Sequence, residues 1–459
     1  MKRHHTNKRG SVLIIVMVVV FAIAAMVLSL GRQARVQVLA SANDLSQQKA
    51  DAAERGAEQY VLSLLTDYRE TLSTLTEEHF SAVPVGDAFV WIIRPTFNDV
   101  NTPAWGLVDE SSKLSLNTVT YAQLMALPNM TDELANAIVQ WRGPDAVSET
   151  STDTASVTAA PPAALVTGGV TKNAPFETVD ELLLVPGMTR ELLYGPPATA
   201  APTESANSGT GESWALAHGL FDFFTAWSTA PNTASDGTAR VSYNRAEDRD
   251  AFTALLGEKL GSVTRGNEIR AALTTGGRRP QPVQSDDLFD FATKAGLKQE
   301  ELALIEDFVT DNSETVSLKG RVNVNTAPRE VLLALGVLSE TDVDTLMSRR
   351  TEAAVATPNS VAWILDALKD KAVGLGNLVT ARGRQFSADI VAASGNGRGF
   401  RHVRIVVDTT SSPARIVYRR DLTDRGWPLE PQLLEQLKAG QFVAAPGTAQ
   451  ASGRASGVR

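Results

Sequence analysis

The sequence predicts an α+β protein. One long N-terminal helix packs on an antiparallel β-sheet, and a large helical insertion divides the strands of that sheet. Three observations carry this expectation. An unbroken apolar run opens the chain and passes into a stripe with helical spacing. Strand-like segments lie near residue 90 and again beyond residue 384, far apart in sequence. Between them the pattern is helical, with capping residues and tight turns that recur.

The apolar run is 17 residues long, Val12 to Leu28, and follows Lys8-Arg9-Gly10-Ser11 directly. A bilayer core needs about 17–25 apolar residues in a helix, and only a helix satisfies its own backbone there. Lys2, Arg3, Lys8 and Arg9 precede the run, and Arg32 and Arg35 follow it. The excess of cations ahead of the run places the N-terminus on the cytoplasmic side. A cleavable secretory signal is the alternative, with Ala40-Ser41-Ala42 as its site. That site lies well past the run, which itself exceeds the usual h-region of about 7–15 residues.

From Gln33 to about Leu75 there is no proline, and Gly56 is the one glycine. Ala50, Ala53, Ala57, Val61 and Leu64 fall at spacings of three and four, which makes one apolar stripe. Asp51, Glu54, Arg55 and Glu58 lie off it. The spacing predicts a single helix of about 55–60 residues, roughly 80–90 Å long. One half suits a membrane and the other a globular head.

Residues 88–94, Ala-Phe-Val-Trp-Ile-Ile-Arg, read as a buried strand closed by Pro95. A second short strand is expected over Trp105 to Asp109. Strands return at Gln385 to Ala392, Phe400 to Val407 and Ala414 to Arg420, with turn residues at 395–397 and 411–413. That spacing indicates an antiparallel meander. The expected division is a basic leader at 1–10, a transmembrane and stem helix over 11–80 and first strands over 81–114. A helical insertion over 115–380, returning strands over 381–430 and a flexible tail over 431–459 complete it. Asp145 to Thr171 and Gly195 to Gly211 are low in complexity and read as long surface loops.

Composition narrows the function. Net charge is -9, and there is no cysteine to form a disulfide, a nucleophile or a metal ligand. An acidic balance speaks against broad nucleic-acid binding, which needs clustered Lys and Arg. His4, His5, His79, His218 and His402 are scattered, without zinc-ligand spacing. No nucleophile elbow, phosphate-binding loop or dinucleotide fingerprint occurs. The expectation is a non-enzymatic protein that requires no cofactor.

An internal repeat lies inside the insertion. Leu114-Ser-Leu-Asn-Thr118 recurs as Val322-Asn-Val-Asn-Thr326, and Arg240-Val-Ser-Tyr-Asn244 resembles a degraded third copy. Thr118 and Thr326 are candidate N-caps, and Pro328 suits a first helical turn. Tight turns are expected at Pro128-Asn129-Met130 and Gly336-Val337-Leu338, with Thr131 and Ser339 capping the next helices. A related hairpin spans Thr178–Tyr194, with a Thr178/Glu181 capping box and a turn at Pro186-Gly187-Met188. These are helix-hairpin-helix patterns. Some such turns hold a phosphate at a helix N-terminus. Here Asp132, Glu133 and Glu340 stand where a phosphate would approach, and only Arg190, Arg349 and Arg350 are cations near the turns. A compact structural hairpin is the simpler reading. A membrane-anchored DNA receptor is the alternative from another class, and a pilin-like surface adhesin cap is a third.

The leader and helix together resemble the start of type IV pilins and type II secretion pseudopilins. The resemblance implies cleavage by a prepilin peptidase between Gly10 and Ser11. Trp105-Gly-Leu-Val-Asp-Glu, the Leu-Ser-Leu-Asn-Thr copy, the segment 173–189 and Val-Asn-Val-Asn-Thr-Ala-Pro are similar to the K-type minor pseudopilins of type II secretion, the general secretion pathway protein K family. That family implies a pilin-like head with SAM-like helix-hairpin-helix units and a role in protein secretion at the pseudopilus tip. It implies I- and J-type minor pseudopilins, the major pseudopilin, the prepilin peptidase and the inner-membrane secretion platform as partners, with no nucleic acid. It also implies a single-pass inner-membrane protein with a periplasmic bulk. Most pilin-like subunits carry a glutamate at mature position five to neutralise the amine of the neighbour above. This chain has Ile15 there, as suits a subunit with no neighbour above. Family members often carry an acidic, calcium-suited run after the first hairpin. This chain reads Trp141-Arg142-Gly143-Pro144-Asp145 and keeps only Asp145, Glu149 and Asp153 nearby.

Overall fold

The computed structural model describes residues 9–67, 75–95, 104–143, 171–195, 219–274, 283–357 and 359–442. It is an α+β fold. Helix α1, Arg9–Asp67, runs unbroken for 59 residues, about 90 Å at 1.5 Å per residue. Residues 68–74 lie outside the described residues. A separate 3₁₀ turn at Glu77–His79 follows, so the helix does not extend to residue 80.

Four strands follow: β1 (Val83–Val85), β2 (Ala88–Arg94), β3 (Ala104–Trp105) and β4 (Val108–Asp109). The stretch expected as one strand over 105–109 is therefore two short pieces. Gly106, at φ 141, breaks it and donates its N–H to the Ile92 carbonyl at 3.0 Å. The long strands close the chain: β13 (Gln385–Ser394), β14 (Phe400–Asp408) and β15 (Arg415–Asp421). The sheet order is β1-β2-β13-β14-β15, with β3 on β2 and β4 on β13. All its pairs are antiparallel, and Ile390 faces Ile92 across the β2/β13 junction. The strand before the insertion thus pairs with the strand after it.

The sheet has two differently covered faces, as the alternation of side chains requires. On one face Val90, Ile92, Ala388, Ile390, Ala392, Val403 and Ile405 pack on Ala53, Ala57, Val61, Leu64 and Leu65 of α1. The alanines let helix and sheet approach closely. Gly399 lies so near α1 that a Cβ there would sit 2.5 Å from the Ser46 carbonyl. On the other face Trp91, Val391 and Ala393 meet Leu429 and Leu437, so the tail expected to be flexible from 431 instead begins with a helix, Pro431–Ala439, that its buried Leu437 holds on the sheet.

The insertion has its own core, built round Leu116, Leu124, Ile138, Phe224, Phe289, Val322 and Leu332. It is not purely helical. It holds β5 (Leu114–Ser115), β6 (Phe224–Thr225), β7 (Thr229–Pro231), β8 (Val241–Ser242), β9 (Val309–Thr310), β10 (Ser317–Lys319), β11 (Val322–Asn323) and β12 (Val379–Thr380). Three parallel two-residue pairs repeat: β5 with β6, β8 with β9 and β11 with β12. Their bonding is the same each time. Leu114, Val241 and Val322 donate to the carbonyls of Phe223, Phe308 and Leu378 at 2.8, 2.9 and 2.7 Å. Leu116, Tyr243 and Val324 donate to Thr225, Thr310 and Thr380. The insertion is therefore three related units, and the copy at Arg240–Asn244 begins the second.

Candidate assembly surface

The two halves of α1 differ sharply in burial. Leu13, Ile15, Val16, Phe21 and Leu28 are all at least half exposed, and Ile15 is 60% exposed. No part of the apolar window of this helix is covered by the other described residues, and it is long and apolar enough to cross a membrane. Val36, Val38, Leu39 and Leu45, beyond that run, are exposed as well. Covering a Val or Leu side chain is worth about 1.5–3 kcal/mol. This half of α1 is therefore built to be covered by lipid or by other helices.

The head begins near Ser46. Gln47 Nε2 donates to the Phe400 carbonyl at 3.1 Å, and Asn396 Nδ2 to Ser46 Oγ at 3.0 Å. Arg401 of β14 forks onto Asp51, and Lys49 pairs with Asp87. The alanine stripe expected to face inward does so, with Ala50, Ala53 and Ala57 each at most 2% exposed. Glu54, placed off the stripe by its charge, is buried instead. Arg419 of β15 explains this. Its Nη2 lies 2.9 Å from Glu54 Oε1 and its Nε 2.6 Å from Glu58 Oε1. One guanidinium serves two carboxylates. Burial, with Glu58 alongside, pushes the Glu54 carboxyl up to about 7.

The turn residues occupy three similar corners. Asn129, Gly187 and Gly336 have φ of 60, 90 and 78°, the left-handed region that glycine and asparagine tolerate. The helix Asp132–Arg142 is capped by Thr131, the helix Arg190–Tyr194 by Thr189 and the helix Glu340–Ala356 by Ser339. The preceding helices start later than expected. Thr120, not Thr118, caps Tyr121–Met125, and Pro328, not Thr326, is the N-cap of Arg329–Ala334. In both copies the chain first makes a turn: Val119 donates to the Ser115 carbonyl and Ala327 to the Asn323 carbonyl. Thr326 spends its hydroxyl on Asp109 Oδ2 at 3.0 Å.

Two cations near the turns have structural employment. Arg349 pairs with Asp366 at 3.1 Å, and Arg350, half-buried, donates to the Ala327 carbonyl at 2.7 Å. Neither is presented for a phosphate, and the DNA alternative gains no support. Asp145, Glu149 and Asp153 lie outside the described residues, as do most of the loops at 145–171 and 195–211. The side chains of Gly10 and Ser11 are likewise outside them, though their backbone belongs to α1.

Several linking residues escaped the sequence. Arg142, 2% exposed, donates to the Leu116 and Val119 carbonyls at 2.5 and 2.6 Å and so closes the first hairpin. Asp109, pushed up to about 6 by burial, accepts from Ser111 N and from Asn323 Nδ2 at 2.8 and 2.6 Å, tying the third unit to the sheet. Asp180, beside the second turn, is held by Arg420 and Tyr418 of β15 and by Tyr194. Trp227 packs against Tyr418 with centroids 4.9 Å apart and the rings tilted by 43°. The insertion is thereby fastened to the sheet face opposite α1.

No family model and no curated protein matches this chain. Among solved structures it is similar to a chain in the crystal structure of the GspK-GspI-GspJ complex from the type 2 secretion system of enterotoxigenic Escherichia coli. The likeness covers 83% of this chain and 98% of that one, at 10% identity and a TM-score of 0.37.

Proposed function

We propose that this chain is a non-enzymatic K-type minor pseudopilin at the tip of a type II secretion pseudopilus. In this reading the prepilin peptidase cuts after Gly10. The helix then anchors the protein once in the inner membrane, N-terminus in the cytoplasm and bulk in the periplasm. It assembles with I- and J-type minor pseudopilins, below which come the major pseudopilin and the secretion platform. No cofactor is needed, and any calcium would be held by Asp145, Glu149 and Asp153.

The observation that carries this is the division of labour along α1. A single helix buries its Ala50–Leu65 stripe in the head and leaves everything from Leu13 to Leu45 uncovered apart from partly covered Ala42. An anchor alone would need only the first 20 or so residues. The further exposed residues, Val36 to Leu45, suit a helix bundle formed with partner subunits. Ile15 supports the tip position, because a glutamate in hydrocarbon is costly without an amine to pair with.

Processing tests this. Intact mass of the protein extracted from membranes should start at Ser11, and Gly10→Val should leave the leader attached. An N-terminus at Met1 or Ala42 in the unaltered protein would contradict the proposal.

A further inference from the structure

A cleft of about 90 Å³ opens between the second and third units of the insertion and the β7/β10 ribbon. Four arginines line it: Arg240, Arg321, Arg382 and Arg384. Two carboxylates, Glu306 and Asp307, share it. The cations exceed the anions by two. Burial also pushes Glu306 up to about 7, which lowers the anionic charge further near neutrality.

The internal partners are already committed. Asp307 Oδ1 is 3.3 Å from Arg240 Nη2 and 2.9 Å from Arg382 Nη1. Its Oδ2 accepts from Ser235 N and Oγ at 2.9 and 2.6 Å. Glu306 accepts from Val361 N. Donors remain over. Arg382 Nη1 is buried and, despite its ion-pair contact, makes no hydrogen bond. Arg321, half-buried, makes no side-chain hydrogen bond or ion pair among the described residues, and the charge of Asp311 nearby compensates it in part. Under-used buried donors cost stability unless an acceptor arrives.

We propose that this cleft binds a carboxylate carried on a short aliphatic body. Guanidinium groups match the planar fork of a carboxylate. The rest of the lining mixes polar residues such as Ser228, Thr229 and Asn359 with Leu318, Val361, Val379 and Ala381, whose side chains can hold methylene groups. Asp307 repels a dianionic phosphate more than a single carboxylate. The carboxylate comes either from a free short-chain monocarboxylic acid or from the C-terminus of a protein segment.

Calorimetric titration of the detergent-solubilised full chain tests this. The probes are sodium butyrate, a short aliphatic peptide with a free or amidated C-terminus, and sodium phosphate, against sodium chloride at equal ionic strength. Saturable binding of butyrate or the free-terminus peptide is expected, and the tighter of the two identifies the source. Arg321→Gln should weaken it about 10- to 100-fold, the worth of a charge-assisted hydrogen bond. Arg321→Lys should restore part of the loss. If Arg321→Gln does not fold, Arg384→Gln must weaken binding severalfold. Absence of saturable carboxylate binding, indifference to these substitutions, or tighter binding of phosphate than of both carboxylates would overturn the proposal.

Discussion

Glu54 gives the sharpest test of how α1 is held to the sheet. Its side chain is 4% exposed and Glu58's is 13% exposed, and both lean on the single guanidinium of Arg419. Two carboxylates on one cation leave one charge over, so the folded protein keeps a proton on Glu54 up to about pH 7, against an ordinary value of 4.5. The folded state then binds more protons than the unfolded state between these values, and stability falls as pH rises through that window. At 1.36 kcal/mol per pKa unit the loss is about 3 kcal/mol. Glu54→Gln removes the titration while preserving shape and a hydrogen-bonding oxygen. The variant's thermal midpoint minus that of the unaltered protein should therefore grow between pH 4.5 and 7.5. About 3 kcal/mol corresponds to roughly 3–4 °C for a chain of this size, at about 2.1 cal/mol/K of unfolding entropy per residue. Asp109 and Glu306 also titrate upward, but they are present in both proteins and cancel in the difference. A difference that stays flat with pH would refute the shared-proton account.

Three further predictions concern packing. Ala57→Glu places an unpaired charge at a site 1% exposed and should cost at least about 3 kcal/mol in chemical denaturation. An unchanged midpoint would mean that α1 leaves the sheet easily. Gly187→Ala and Gly336→Ala force a Cβ into the left-handed region and should each cost about 1–2 kcal/mol, whereas Asn129→Gly should be nearly neutral; equal effects at all three positions would contradict the turn geometry. Arg142→Ala removes two buried charge-assisted bonds at the first hairpin and should cost about 3 kcal/mol or more, seen as faster hydrogen exchange over 121–142.

Much of the head could be read from residue order because its strands are long and alternate. Ala88–Arg94 matches the expected strand residue for residue, and the three closing strands differ from expectation only by a residue or two at their ends. The insertion was harder. Its β6, β9 and β12 strands are two residues each, shorter than any periodicity can register. Their signal is a repeated Thr after apolar residues, in Phe223-Phe224-Thr225, Phe308-Val309-Thr310 and Leu378-Val379-Thr380. The helix starts slipped by two residues because Thr118 and Thr326 sit in a preceding turn that only the parallel pairing creates. Glu54 was misplaced because charge predicts exposure, and its partner Arg419 lies 365 positions away. Ion pairs of that sequence separation leave no local pattern.

The measurement that bears most directly on the tip assignment is the mass of the assembled complex. Native mass spectrometry of the full chain co-expressed with I- and J-type minor pseudopilins should show one copy of each in a single heteromer. It should show no ladder of this chain alone, because the proposed tip position has no neighbour above and the three-unit insertion adds bulk to the head that would clash if repeated around a close-packed filament. A homopolymeric series, or a chain that associates with neither partner, would contradict the account.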